Sequence, residues 1–149
     1  MTDRVNTKHE FEKLLANTYV TLMLTQNVHW HVMGPNFYGI HLMTDAQYNE
    51  LQKAIDEIAE HMRAMGLDAP SGMQVYQDLA TVAVEPETMV SVDTMLEHLI
   101  NAHTEGRANL ETLAKIAADE GDIASEDLAI ERMRAHDKHR WMLKASLTQ

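Results

Sequence analysis

Apolar positions recur along this chain at the three- and four-residue spacing of amphipathic helices, and its few glycines and prolines interrupt the pattern. The first helix is predicted to begin near Lys8, because Thr7 and Glu10 have the spacing of a capping box. It is predicted to run to about Met33, where a Gly-Pro pair ends it. Its apolar stripe comprises Phe11, Leu15, Leu22 and Met33.

A second helix is predicted from about Phe37 to Met65, with the core stripe Ile40, Leu51, Ala54, Ile58, Met62 and Met65. A long crossover follows over residues 67–90, because this stretch contains the helix breakers Pro70, Gly72 and Pro86. Within the crossover, a short helix is predicted over residues 74–80.

Two more helices complete the pattern. Ser91 can cap a third helix that reaches about Ala118, and Ser125 can cap a fourth that ends near Leu147. The sequence shows no strand alternation. Two helical hairpins joined by one long crossover predict an all-α, ferritin-like four-helix bundle, and residues 1–149 are expected to form a single domain.

One face of the second helix carries metal-ligand side chains at His41, Asp45, Asp56 and Glu60. Most charged helical stripes are solvated polar faces, and that interpretation remains open. Tyr48 and Ala59 on the same face suit a packed surface better, and no string of lysines four residues away compensates the charge. Buried carboxylates require a cation. Oxygen and imidazole ligands without thiolate suit iron, and also manganese or zinc.

The spacing of this stripe argues against a site within one chain. Positions 45 and 56 are eleven residues apart, which is roughly 16 Å along a helix axis. Two antiparallel copies of the helix could close the site, because positions 41 and 45 of one copy would meet 56 and 60 of the other. The sequence therefore indicates a metal site shared between two subunits.

The other histidines have simpler explanations. His29 lies on an apolar face, where a hydrogen-bonded core histidine is more common than a ligand, and His31 points away from it. His103 is predicted to be a hydrogen-bonded core residue. Surface or packing roles are favoured for His9, His61, His98, His136 and His139.

Composition narrows the possible functions. The chain has 23 acidic and 12 basic residues, and its net charge of −11 attracts cations and repels nucleic acid, although ordinary solubility explains it equally well. The absence of cysteine excludes disulfides and thiolate metal sites. No apolar run approaches the roughly 20 residues of a membrane span, and the start has no hydrophobic signal segment. A cytoplasmic protein without membrane contact is expected.

Several motifs together resemble one family. The first is the run Asn27-Val28-His29-Trp30-His31-Val32-Met33-Gly34-Pro35-Asn36-Phe37, followed by His41, Asp45 and Asp56-Glu57-Ile58-Ala59-Glu60-His61. The second comprises Glu120-Gly121-Asp122 and Trp141-Met142-Leu143-Lys144-Ala145. Over nearly the whole chain, these closely resemble the Dps family, the DNA-binding proteins from starved cells or mini-ferritins.

The resemblance implies a dodecameric hollow shell that oxidises Fe(II), usually with hydrogen peroxide, and stores the ferric product as a protection against oxidative damage. It implies a ferroxidase site at a two-fold interface, with His29, His41 and Asp45 from one subunit and Asp56 and Glu60 from its mate. Asp119, Asp122 and Asp127 are predicted to line entry pores, although helix-end charges explain each of them equally well. No Glu-x-x-His motif of the ordinary ferritin type occurs.

Two other functions remain open at this stage. A DNA-compacting protein is disfavoured, because DNA-binding family members generally carry a Lys-rich tail and only Arg4 and Lys8 precede the predicted first helix. DNA binding is therefore expected to be absent or weak. A shell that binds zinc or manganese without turnover is not excluded, because the ligand types of these metals overlap.

Overall fold

The computed structural model describes residues 2–84 and 90–148, with side chains from Asn6 onward. Within these residues the chain forms no strand and five helices: α1 (Thr2–His31), α2 (Phe37–Ala64), α3 (Met73–Leu79), α4 (Val92–Glu120) and α5 (Ile123–Ala145). The predicted all-α fold and the short crossover helix are confirmed. Pro86, predicted to interrupt the crossover, lies outside the described residues.

The four long helices form a bundle of two hairpins. Short connections join α1 to α2 and α4 to α5, the partners within each hairpin pack together, and α1 also packs against α4. The crossover helix α3 lies against α1. No helix in the described part of the chain is both long and apolar enough to span a bilayer.

The bundle interior contains two apolar clusters. One includes Phe11, Ile58 and Leu113, and the other includes Val28, Ile40 and Leu99. Polar side chains are also buried on all four long helices. We call one group of polar side chains on α2, α4 and α5 the polar layer: Gln47, His103, Arg132, His136 and His139, which are buried, and Glu50, which is half-buried. The predicted core role of His103 is confirmed, since its side chain is fully buried and hydrogen bonded.

The ends of α4 follow the prediction, whereas the start of α5 does not. The Ser91 side chain accepts a hydrogen bond from the Thr94 amide, and Gly121 ends α4 in the left-handed conformation at φ 71°. The predicted cap of α5 was Ser125, but the carboxylate of Asp122 caps this helix and accepts from the Ser125 amide at 3.1 Å. A carboxylate is an equally good cap, so the first suitable side chain after the glycine took the role.

The predicted start of α1 is also wrong. The helix begins at Thr2, so Arg4 and Lys8 belong to it rather than precede it. Thr7 donates to Glu120 at 2.7 Å instead of capping, and Glu10 accepts a hydrogen bond from Asn109. These contacts between helices use the two polar side chains whose spacing resembled a capping box.

Candidate metal centre

His29 and His41 lie against each other where α1 ends and α2 begins. Their rings stack with centroids 3.8 Å apart. The Nδ1 atom of His29 is 2.9 Å from the carbonyl oxygen of His41, and the Nδ1 atom of His41 is 2.8 Å from the carbonyl oxygen of His29. The turn at residues 32–36 brings the two helix ends close enough for this exchange of hydrogen bonds, which the helical wheel did not reveal.

This pairing determines which nitrogen carries the proton when each ring is in its neutral form. A carbonyl oxygen can only accept, so each Nδ1 carries the proton and donates it. Each Nε2 atom therefore keeps its lone pair. Metal-binding histidines typically donate their other ring nitrogen to a carbonyl or carboxylate, which orients the ring and fixes its tautomer. Both imidazoles are thus prepared to bind a metal through Nε2.

Asp45 lies one helical turn after His41 on α2 and is held by its neighbours. The hydroxyl group of Tyr48 donates to Oδ1 of Asp45 at 2.9 Å. This hydrogen bond raises the pKa of Tyr48, so the phenol remains a donor at neutral pH. The rings of Tyr48 and His29 lie nearly perpendicular, with centroids 5.2 Å apart. Tyr48 therefore links Asp45 to the histidine pair.

Asp56 and Glu60 lie farther along the same helix and are exposed. Asp56 lines an open groove of about 800 Å³ between α1, α2 and α3. The other walls of this groove are mostly apolar or uncharged, and include Leu15, Tyr19, Leu22, Ile55, Ala59 and Tyr76.

One chain brings only part of the predicted ligand set together. His29 and His41 are in contact, and Tyr48 connects them to Asp45. Asp56 and Glu60 follow Asp45 by eleven and fifteen residues on the same helix, which is roughly 16 and 22 Å of axial rise. Within residues 2–84 and 90–148, no three His, Asp or Glu side chains are grouped so that they could hold a metal ion.

The three predicted pore residues lie at the α4–α5 junction. Asp119 and Asp127 are exposed, and Asp122 is half-buried as the cap of α5. Burial acts to raise the pKa of Asp122, but hydrogen bonds from Ser125 hold it below its ordinary value. Asp122 is therefore a charged capping group, and pore lining remains a prediction for all three.

Sequence reasoning missed the polar layer. Arg132 and His139 both contact Glu50, and His136 is hydrogen bonded to His103 through their Nδ1 atoms at 2.8 Å. The usable signal was the spacing of positions 132, 136 and 139, which places all three on one face of α5.

The comparisons with known proteins agree with this fold. The sequence model of the ferritin-like domain matches residues 9–149. The DNA protection during starvation protein of Listeria monocytogenes is 30% identical over 144 residues, covering 96% of this chain and 92% of that protein. The chain belongs to the Dps family of ferritin-like proteins.

Solved Dps structures have the same backbone. The Dps structure from Thermosynechococcus elongatus superposes with a TM-score of 0.94 at 29% identity, covering 99% of this chain and 94% of that one. The Dps protein from Vibrio cholerae is 24% identical, with a TM-score of 0.91 over 99% of this chain and 92% of that one, which is a likeness of fold. The predicted family and the ferritin-like architecture are confirmed.

Proposed function

We propose that this Dps protein oxidises Fe(II) at a site shared between two subunits and stores the ferric product inside a homo-oligomeric shell, the dodecamer that the family resemblance implies. The proposal rests chiefly on the exchanged hydrogen bonds of His29 and His41, which leave the lone pairs of two Nε2 atoms available, one helical turn before Asp45 on α2. This donor set, together with further carboxylates, suits iron. The Dps of Vibrio cholerae is described as one of the ferritin-like diiron-carboxylate proteins.

The register of α2 supports the shared site. Positions 41 and 60 are equally far from the point midway between Glu50 and Leu51, and so are positions 45 and 56. A single antiparallel alignment of two α2 helices therefore satisfies both pairs at once, as a two-fold axis requires. Asn49 and Gln52 flank this midpoint, are exposed, and line the same groove as Asp56.

The surface near the histidine pair is also suited to a second copy of the chain. Trp30, Met33, Phe37, Tyr38 and Leu42 are between 42% and 76% exposed. A cluster of large apolar side chains of this kind commonly marks a protein interface. Covering it with a second subunit would remove water from the site and strengthen its electrostatic interactions.

The proposed chemistry follows from the donor set. Carboxylates stabilise Fe(III) more than Fe(II) because the electrostatic attraction grows with the charge of the ion. Hydrogen peroxide accepts one electron from each of two ferrous ions and, with two protons, is reduced to two water molecules. The reaction therefore removes Fe(II) and peroxide, the two reactants that generate hydroxyl radicals. The ferric ions then hydrolyse to a mineral and release protons. Asp119, Asp122 and Asp127 are proposed to line the pores through which Fe(II) enters. Replacing all three by Asn should slow Fe(II) uptake without unfolding the shell.

The test is an anaerobic titration with Fe(II) followed by hydrogen peroxide, with ferric product measured by absorbance. We expect saturable binding and rapid, peroxide-dependent oxidation. A His29→Ala variant should lose at least about tenfold in rate. The matched control is His31→Ala, because His31 is exposed and its ring hydrogen bonds the Asn27 carbonyl of its own helix. A wild-type protein that binds the ion without consuming peroxide would indicate the zinc or manganese alternative instead.

Relatives are named for protecting DNA, but we propose that direct DNA binding by this chain is absent or weak. Its net charge of −11 opposes contact with phosphates. Sub-micromolar retardation of duplex DNA in gels at roughly 0.15 M salt would contradict this.

A cytoplasmic location also remains a prediction.

A further inference from the structure

Tyr48 contacts two of the proposed iron ligands through different parts of its side chain. Its hydroxyl group donates to Oδ1 of Asp45, three residues earlier on α2. Its ring packs against the ring of His29 at an interplanar angle of 74°. His29 belongs to α1 and Asp45 to α2, so Tyr48 fixes ligands from different helices relative to each other.

The hydrogen bond also distinguishes the two oxygen atoms of Asp45. Oδ1 is occupied by the phenol at 2.9 Å, whereas Oδ2 has only a longer contact to Asn49 at 3.4 Å. A carboxylate held in this way can offer Oδ2 to a cation without first choosing among rotamers. Without the phenol, either oxygen or both could bind, and the free side chain would have to be ordered when the metal enters.

A packing role alone does not account for these contacts. Tyr48 is half-buried rather than part of either apolar cluster. Its hydroxyl group could bond water at this depth, yet it is directed at the carboxylate. The ring and the hydroxyl group therefore serve separate neighbours, and the two contributions can be separated by mutation.

We propose that Tyr48 is a positioning residue of the iron site, which orients Asp45 through its hydroxyl group and His29 through its ring so that Asp45 binds Fe(II) through one oxygen. This inference rests on the proposed function. Tyr48 acts through the ligands and does not bind the metal itself.

The experiment measures Fe(II) affinity by anaerobic calorimetry, and the visible spectrum of bound Co(II), on the assembled protein. Tyr48→Phe keeps the ring and removes the hydroxyl group. It should weaken Fe(II) binding by about 10- to 100-fold, the usual effect of losing a hydrogen-bond partner of a ligand, and should alter the Co(II) spectrum. Tyr48→Leu should weaken binding further because the ring contact with His29 is also lost. Thr112→Val, which removes an exposed hydroxyl group that donates to the Ala108 carbonyl within α4, is the matched control and should change neither measurement.

A double-mutant comparison establishes the route of the effect. If Tyr48 acts through Asp45, Tyr48→Phe should cause no further loss in an Asp45→Ala protein. An equal loss in both backgrounds overturns the inference, as does a Tyr48→Phe protein with wild-type affinity and Co(II) spectrum. In those cases the wild-type protein still oxidises iron and the proposed function stands. A wild-type protein that neither binds nor oxidises Fe(II) overturns both.

Discussion

Gly106 lies in the middle of α4, where glycine ordinarily costs about 1 kcal/mol of helix stability relative to alanine. The structure supplies a reason for it. A Cβ atom at this position would lie 3.0 Å from Cε1 of His136. That ring is almost fully buried and is held by its hydrogen bond to His103, so it has little room to move. The glycine makes space for a histidine of the polar layer.

We therefore expect Gly106→Ala to destabilise the protein. Overpacking costs about 1–3 kcal/mol and the gain in helix propensity is about 1 kcal/mol, so the net loss should be roughly 1 kcal/mol. The measurement is the free energy of unfolding by denaturant at one fixed subunit concentration. In a His136→Ala background the same substitution should be neutral or stabilising, because the ring is gone. A loss of equal size in that background would show that His136 is not the cause.

Single residues also mark the limits of prediction from sequence. Apolar periodicity identified His103 as a core residue, because its neighbours on α4 define an inner face. His136 and His139 lie on a helix with many polar residues, where periodicity gives little information. Their partners come from other helices, since His139 bonds Glu50 of α2 and His136 bonds His103 of α4. Met33 was assigned to the apolar stripe of α1 but is 76% exposed, because α1 ends at His31 and Met33 lies in the connection to α2.

The polar layer makes three helices sensitive to acid together. Burial, with the charge of Arg132 nearby, lowers the pKa of His136 from 6.5 to about 3. Burial, with His136 nearby, also lowers the pKa of His103 well below 6.5. Burial would raise the pKa of Glu50, but hydrogen bonds from His139 and Arg132 outweigh it and lower the value from 4.5 to about 2. Arg140 adds a further positive charge beside both histidines.

We predict that stability falls on acidification from about pH 6.5. The unfolded chain protonates its histidines near pH 6.5, whereas the folded chain does not protonate His136 until about pH 3. Between these values the unfolded state binds protons that the folded state lacks, so the free energy of unfolding falls by about 1.4 kcal/mol per pH unit for each such histidine. Glu50 adds a second loss between about pH 4.5 and 2. Denaturation curves at fixed subunit concentration across this range measure both.

The matched variants are His136→Gln and His9→Gln. The first removes one buried titrating group, so it should lower the free energy of unfolding at pH 7. Below pH 6.5 it should also reduce the slope of that free energy against pH by the contribution of one histidine, about 1.4 kcal/mol per pH unit. The second changes an exposed histidine and should leave the slope unaltered. A wild-type slope in His136→Gln would rule out a neutral, buried His136 as a source of the acid sensitivity.

Helices were more predictable than their ends. All four long helices and the crossover helix were predicted, because apolar stripes, capping residues and helix breakers together indicate where a helix can form. The starts of α1 and α5 were misplaced because a Ser or Thr hydroxyl group can cap a helix or bond elsewhere, and its sequence does not determine which. Thr7 bonds Glu120 across the bundle, and Ser125 donates to Asp122.

At the scale of the whole molecule, the question is which of the predicted ligands one chain can bring together. Helix geometry alone separates Asp45 from Asp56, so the sequence could predict that one chain is insufficient. It could not predict the exchanged hydrogen bonds of His29 and His41, because they depend on how the turn at residues 32–36 joins two helix ends. In the proposed site, Asp56 and Glu60 act together with His41 and Asp45 of a second subunit, in the antiparallel register of two α2 helices described above.

Mixed assemblies test this arrangement directly. One variant carries His41→Ala and Asp45→Ala, and the other carries Asp56→Ala and Glu60→Ala; each alone should lose rapid iron oxidation. After the two are unfolded, mixed in equal amounts and reassembled, half of the two-fold pairs should contain one chain of each kind. Each such pair has one site with both halves broken and one with both intact, so about a quarter of wild-type activity should return. Each variant reassembled with itself is the control and should stay inactive. If all ligands came from one chain, every site would keep a lesion, and verified mixed shells without activity would refute the shared site.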